Sequence, residues 1–190
     1  MNHFGTKEIE TARLLLRRFV NEDAKAMYDN WASDDQVTKY LTWPSHTDVS
    51  MTQSSVKNWV EGYEDASQYK WAITLKGNPG EVIGDISVVA ISEHRQECEI
   101  GYVLGHKFWS QGYMGEAMKA VSHYLLIEAD FNRVEALHDV ANPASGKVMQ
   151  KAGLQYEGTH RQYSLNNTGL VDSARYAILK EDLIKEFTKK

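Results

Sequence analysis

The sequence predicts an α+β fold, a mostly antiparallel mixed sheet with helices on its flanks. Three observations point there. Strand-like runs between Trp71 and Leu104 follow one another across short turns, as in a meander. Between Ala117 and Gly153 helical and strand patterns alternate. The chain then closes with two strand-like runs around the turn Asn166-Asn167-Thr168-Gly169.

Taken in order, Leu14 to Phe19 reads as the first strand. Asn21 offers a cap to a helix whose Ala24, Met27, Tyr28 and Trp31 fall on one face. After a polar stretch and the break at Thr42 to Thr47, a second helix carries Val56, Trp59, Val60 and Tyr63 on one stripe. The strand Trp71–Leu75, a Gly77-Asn78-Pro79-Gly80 turn, a long strand from Glu81 to Ile91 and another from Glu99 to Leu104 complete the meander. A helix presents Ala117, Ala120, Val121, Tyr124 and Leu125 on one face, and Arg133–Val140 reads as a strand. Asn142 caps the next helix with Pro143 at its first position, and Gly153 ends it. Strands near Gln155–Tyr163 and Leu170–Leu179 form the final hairpin.

Bulk properties narrow the function. The 190 residues, 1–190, fit one domain with a real core. A net charge of −5 argues against a general nucleic-acid binder and mildly favours cationic ligands. No apolar run approaches the ~20 residues of a membrane span, and the first residues lack the apolar centre of a signal peptide. Cys98 is the one cysteine, so an internal disulfide is excluded and a reducing, cytoplasmic setting is expected. It reads as a small buried residue, since Glu97 and Glu99 on either side disfavour a thiolate. The seven histidines show no metal-binding spacing, so no metal is expected.

The most informative stretch runs from Cys98 to Ala117. Strand alternation gives way to a loop with Gly105, Gly112 and Gly115, and the loop opens an apolar-periodic helix. That arrangement turns backbone N–H groups outward to hold a phosphate or pyrophosphate. The Gly-Lys-Ser/Thr of a nucleotide P-loop is missing.

Five pieces in order resemble the GNAT superfamily of acetyl-CoA-dependent N-acetyltransferases, in particular the RimJ/RimL-like branch that acetylates N-terminal amines of ribosomal proteins. They are Thr11-Ala12-Arg13-Leu14-Leu15-Leu16-Arg17, Glu99-Ile100-Gly101-Tyr102, Trp109 to Ala117, the Asn142-x-x-Ser145 helix start and Lys151-Ala152-Gly153-Leu154. The resemblance implies a sheet whose fourth and fifth strands splay after a bulge, with the pantetheine arm of acetyl-CoA in the gap. The pyrophosphate would rest on the N–H groups from Gln111 through Gly112, Tyr113, Met114 and Gly115 to Glu116. The family's loop usually carries Gln or Arg where this chain has Trp109, and Gly or Ala where it has Met114. Main-chain binding tolerates both departures.

Acetyl transfer needs a neutral amine, donors for the developing oxyanion and stabilisation of the departing thiolate. Glu99 is the candidate base, on the strand entering the loop, with Glu97 two residues upstream on the same face. A second carboxylate at that distance would raise the pKa of one member, and Glu97 is also a candidate to attract a cationic substrate. A backbone N–H near Val103 or Leu104 is the implied oxyanion donor. Asn142 and Ser145 are explained by a helix start alone, and by resemblance also face the pantetheine and the sulfur. Many relatives place an acidic Tyr seven residues after that Asn, where this chain has Met149, so Ser145 or water must serve. Among Lys107, Lys147 and Lys151, Lys151 is singled out for the phosphates. Tyr40 and Trp43 lie in the segment that forms the acceptor cleft, with core packing as their competing role.

The expected activity is therefore transfer of an acetyl group to a primary amine by direct attack in a ternary complex. A protein N-terminus is the first acceptor. A small amine such as an antibiotic, polyamine or amino acid, and a non-catalytic CoA-binding module, are the alternatives. Folds of this type often pair, which admits a homodimer.

Overall fold

The computed structural model describes residues 3–188, so the first two and last two positions of the expected 1–190 domain lie outside the described residues. Among the described residues eight strands form one sheet: β1 (Ile9–Glu10), β2 (Leu14–Arg17), β3 (Lys70–Leu75), β4 (Asn78–Ser92), β5 (Glu97–Leu104), β6 (Arg133–Asp139), β7 (Gln155–Asn166) and β8 (Gly169–Leu179). Their spatial order is β1-β2-β3-β4-β5-β6-β8-β7. Every pairing is antiparallel except β5 with β6. That parallel pair needs a long crossover, and α4 (Tyr113–His123), continued by a π-helical turn at Tyr124–Glu128, supplies it.

Alternation along the strands builds a core on each face. On one face α4, its π-helical continuation and α5 (Pro143–Lys151) bury Met118, Val121, Leu125 and Met149 against Leu16, Ile73, Ile86, Ile100 and Val134. On the other, α1 (Asp23–Met27), its π-helical extension Tyr28–Ala32 and α3 (Val49–Gly62) bury Met27, Trp31 and Val56 against Ala72, Val82 and Val103. Each buried Val, Leu, Ile or Met side chain among these contributes about 1.5–3 kcal/mol by leaving water.

Several local expectations are corrected. Asn21 does not cap α1. Asp23 instead accepts from the Val20 N–H at 2.9 Å and pairs with Arg17 through two bonds of 2.7 and 2.8 Å, joining β2 to the helix start. The polar stretch contains a one-turn helix, α2 (Asp35–Thr38), whose cap Asp34 accepts from the Gln36 N–H. The β3–β4 turn is shorter than 77–80: Leu75 pairs with Asn78, leaving Lys76-Gly77 as the loop. A two-residue β1 precedes the first expected strand, so the splayed pair is the fifth and sixth. A final helix, α6 (Lys180–Thr188), follows β8 without a break.

A bulge precedes the point where β5 and β6 part, and it lies on β4, the neighbour of the splayed pair. Val88 pairs with Ile100 and Ala90 with Glu99, so the extra residue is Val89, on β4. The Val89 side chain lies over Gly101, where an added Cβ would come within 2.8 Å of it.

Candidate active site

The sheet opens after Glu99. β5 pairs with β6 only from Glu97 to Glu99, opposite Arg133 to Glu135, although β5 continues to Leu104 and β6 to Asp139. Past the fork each strand has backbone groups with no strand partner. The Gly105 N–H donates to Ile83 O on the β4 side at 2.8 Å. Amides two residues apart point the same way, so Val103 also turns toward β4, while Tyr102 and Leu104 turn their N–H groups into the gap. Leu104, not Val103, is therefore the one of the two expected oxyanion donors that faces it. The Val103 side chain packs in the α1/α3 core.

At the open end of the gap the chain enters the glycine-bearing loop. Trp109 Nε1 donates to Leu104 O at 2.7 Å, and Ser110 and Gly112 both adopt left-handed φ values of 62° and 81°. α4 starts at Tyr113, and Glu116 is the first amide with an intrahelical acceptor, Gly112 O at 3.1 Å. Helix geometry thus leaves the amides of Tyr113, Met114 and Gly115, just after Gly112, without an intrahelical acceptor, at the positive end of the macrodipole. Gln111 and Gly112 are exposed, whereas Met114 sends its side chain into the core. This donor set fits a pyrophosphate.

Glu116 is expected among the ligand groups, but its amide is used within the helix and its carboxylate turns away. That carboxylate accepts from Thr11 Oγ1 (2.6 Å), the Arg13 N–H (2.9 Å) and Arg13 Nε (2.7 Å). Burial pushes its pKa up, yet these bonds outweigh burial and leave it below the usual carboxylate range. Arg13 also donates to Gln111 O at 3.0 Å and lies 4.6 Å from the Tyr113 ring centroid. Sequence reasoning used Thr11 to Arg17 only as a family marker and missed this clamp on the loop. Lys151 is exposed on α5, its Cβ 3.5 Å from a Cβ built on Gly115, so its stem borders the start of α4.

α5 brings Asn142 and Ser145 to the back of the gap. Asn142 occupies the cap position with Pro143 after it, as expected, but its side chain makes no capping bond to the helix. α5 lies close to β6 because residue 146 is glycine: a Cβ there would stand 2.6 Å from His138 Nε2. Ser145 is half-buried and meets Tyr102, a β5 residue that sequence reasoning passed over, with the two hydroxyls 2.6 Å apart. Met149 is fully buried in the core and carries no exchangeable proton.

Glu99 stands at the fork on the α1/α3 face, half-buried. Desolvation raises its pKa, the negative charge of Glu135 adds to the rise, and Arg175 partly offsets it. The second carboxylate is thus Glu135, directly opposite on β6, and not Glu97. Cross-strand neighbours lie nearer than residues two apart on one strand. Glu97 is bonded to Arg95 at 2.6 Å and lies 4.0 Å from Arg133, so its charge is already matched. Arg133 also bonds Glu135 (2.8 Å) and Glu157 (2.7 Å), and Arg175 reaches Glu135 at 3.6 Å. Among the described residues Glu99 alone in this cluster has no hydrogen-bond or ion-pair partner. Cys98 is buried, and its thiol is pushed up by burial and by Glu135 and Glu97.

The far wall is made by the β7–β8 hairpin tip and the segment after α2. Asn167 Nδ2 donates to Thr38 O and Trp43 O, each at 2.8 Å, and its N–H donates to Leu41 O. Tyr40 Oη donates to Ala141 O at 3.2 Å, next to Asn142. Tyr40 therefore borders the site, whereas Trp43 is partly buried against the α1/α3 core, its ring tilted against that of His46 with centroids 5.3 Å apart. No group of three or more His, Cys, Asp and Glu able to hold a metal occurs among the described residues.

A profile of the acetyltransferase (GNAT) domain matches residues 13–155. The N-acetyltransferase p20 of Bacillus licheniformis is 31% identical over 172 residues, covering 90% of this chain and 96% of that one. The alanine N-acetyltransferase of ribosomal protein uS5 from Escherichia coli is 27% identical over 165 residues, covering 83% of this chain and 82% of its own length. A crystal structure of a GNAT-family acetyltransferase from Bacillus anthracis superposes with a TM-score of 0.80 at 27% identity, covering 92% of this chain and 99% of that one.

Proposed function

The chain belongs to the GNAT acetyltransferase family and is an acetyl-CoA-dependent N-acetyltransferase; on that premise we propose that its acceptor is a protein N-terminal α-amine, attacked directly with both substrates bound. The observation that carries the reading is the unpartnered Glu99 carboxylate at the fork of β5 and β6. An α-amine has a pKa of about 7.7–8.0, near neutral, and a carboxylate whose pKa is raised helps to free its lone pair. The similarity to the uS5-alanine enzyme supports the choice of acceptor.

Acetyl-CoA supplies an activated carbonyl whose sulfur can leave. The amides of Gly112 to Gly115 would hold its pyrophosphate, with Lys151 and Arg13 beside them, and Asn142 would meet the pantetheine arm. The ammonium first loses one proton to solvent, relayed by Glu99, which frees its lone pair. As the N–C bond forms Glu99 takes the second proton, directly or through water. The Leu104 N–H faces the side on which charge collects on the carbonyl oxygen. The C–S bond breaks with its electron pair on sulfur, and Ser145 Oγ–H stabilises that charge. The thiolate takes a proton from solvent, and Glu99 releases the one it holds to solvent.

The same proposal places the whole chain, 1–190, in one catalytic domain acting in the cytoplasm. It includes a homodimer, for which the long edge strand β7 offers unpaired backbone groups; light scattering tests that part. The acceptor is tested by offering acetyl-CoA with peptides beginning in Ala, Ser or Met and with polyamines, aminoglycosides and amino acids, while free thiol is followed. Turnover with peptides is expected. Turnover confined to the small amines overturns the acceptor assignment, and acetyl-CoA binding without turnover overturns the catalytic reading.

A further inference from the structure

Tyr102 carries no role in the scheme above, yet it is the polar side chain most directly joined to Ser145. It lies on β5 past the last β5–β6 pair, and alternation sends it to the face covered by α4 and α5, behind the gap. Its Oη is 2.6 Å from Ser145 Oγ and 3.0 Å from Ser145 O. A phenol has one proton and the carbonyl can only accept, so the two contacts compete for that proton. If Tyr102 gives it to the carbonyl, Ser145 must point its own proton back at the phenol oxygen. If Tyr102 gives it to Oγ at the shorter distance, the serine proton is released toward the gap.

We propose that Tyr102 is a positioning residue that donates to Ser145 Oγ and so aims the serine proton at the sulfur leaving the thioester. The proposal rests on the acetyl-transfer reading. The C–S electron pair stays on sulfur, Ser145 shares its proton without losing it, and solvent completes the free thiol. Donation into Oγ polarises the serine and strengthens the bond it makes onward. Burial holds the phenol protonated across the neutral range, and the bond to Ser145 opposes that only in part. Buried Met149, one turn further along α5, has no proton to offer in its place.

A double-mutant cycle tests the arrangement. Tyr102→Phe, Ser145→Ala and the double variant are compared for kcat and for acetyl-CoA affinity. Loss of one oriented hydrogen bond predicts about a tenfold fall in kcat for Tyr102→Phe at unchanged acetyl-CoA affinity. The double variant should then be no slower than Ser145→Ala, because the tyrosine acts through the serine. Additive losses, or a Tyr102→Phe effect confined to affinity, overturn the proposal. Should Tyr102→Phe fail to fold, 2,3-difluorotyrosine at position 102 keeps the hydroxyl as a better donor. Activity at or above that of the parent is expected there, and a tenfold loss overturns the proposal. Absence of thiol release by the parent protein with every amine overturns the acetyl-transfer reading and this one together. Turnover lost in Glu99→Gln alongside an additive cycle overturns this one alone.

Discussion

Glu99 and Glu116 are seventeen positions apart, one at each end of the β5–α4 connection, and their surroundings treat the same side chain in opposite ways. Glu116 receives bonds from Thr11 and from the amide and guanidinium of Arg13, and its pKa falls despite burial. Glu99 receives none, faces Glu135, and its pKa rises. A carboxylate held charged by three donors is a fastener. A carboxylate left without donors next to another acid is a proton acceptor in waiting. The cofactor end is therefore built for rigidity, and the acceptor end stores reactivity at some cost in stability.

The sharpest way to break this contrast is to neutralise each acid. Glu99→Gln should lower kcat by about 10²–10⁴, the range for a positioned general base, while acetyl-CoA affinity stays constant. In the parent protein activity should fall as pH drops through the raised Glu99 value, above the ordinary carboxylate range, and Glu99→Gln should abolish that limb. Initial rates across pH check both. Glu116→Ala should instead weaken acetyl-CoA binding by about tenfold, the worth of the lost charge-assisted bonds, and leave the acceptor KM alone. Isothermal titration reads the first and steady-state kinetics the second. If the two variants show the same profile, the division of labour between the two ends is wrong.

A smaller effect sharpens the acceptor side. Asn167→Ala removes the donors to Thr38 O and Trp43 O and should cost about 1 kcal/mol of stability while raising the acceptor KM several-fold. Chemical denaturation and kinetics with the best peptide test it. The smallest expected change has the opposite sign. A carboxylate whose pKa is raised on folding contributes stability below its unfolded value and loses it as pH climbs through the folded value. At neutral pH Glu99 therefore weighs against the fold, and Glu99→Gln should melt slightly higher than the parent at pH 7. The difference should vanish near pH 4.

The two ends also differ in how far the sequence exposes them. The cofactor end is local: a strand, a loop with Gly112 at positive φ and a helix start stand within twenty residues, and their backbone does the binding. Periodicity and glycine placement find such a unit. The Arg13–Glu116 clamp was hidden because its members are 103 positions apart. The acceptor end is assembled almost entirely from such distant pairs: Asn167 with Thr38 and Leu41, Tyr40 with Ala141, Glu99 with Glu135. Nothing in the local pattern of Asn166 to Gly169 says that the turn would reach back to the chain after α2. Glu97 was named and Glu135 was not for the same reason, since spacing along a strand is visible in a sequence and pairing across strands is not. The bulge at Val89 was equally silent, because it changes register and leaves composition untouched.

That single extra residue in β4 has a practical meaning for anyone altering the chain. Val88 stands opposite Ile100 and Ala90 opposite Glu99, so deleting Val89 would make those two residues consecutive and leave every pair and every face of β4 as it is. What the deletion removes is the local bend and added twist of the strand beside Glu99, the last residue before the fork. The number of residues at this one point therefore tunes the geometry of the fork while the rest of β4 keeps its register, and directed libraries can vary it by length as well as by identity.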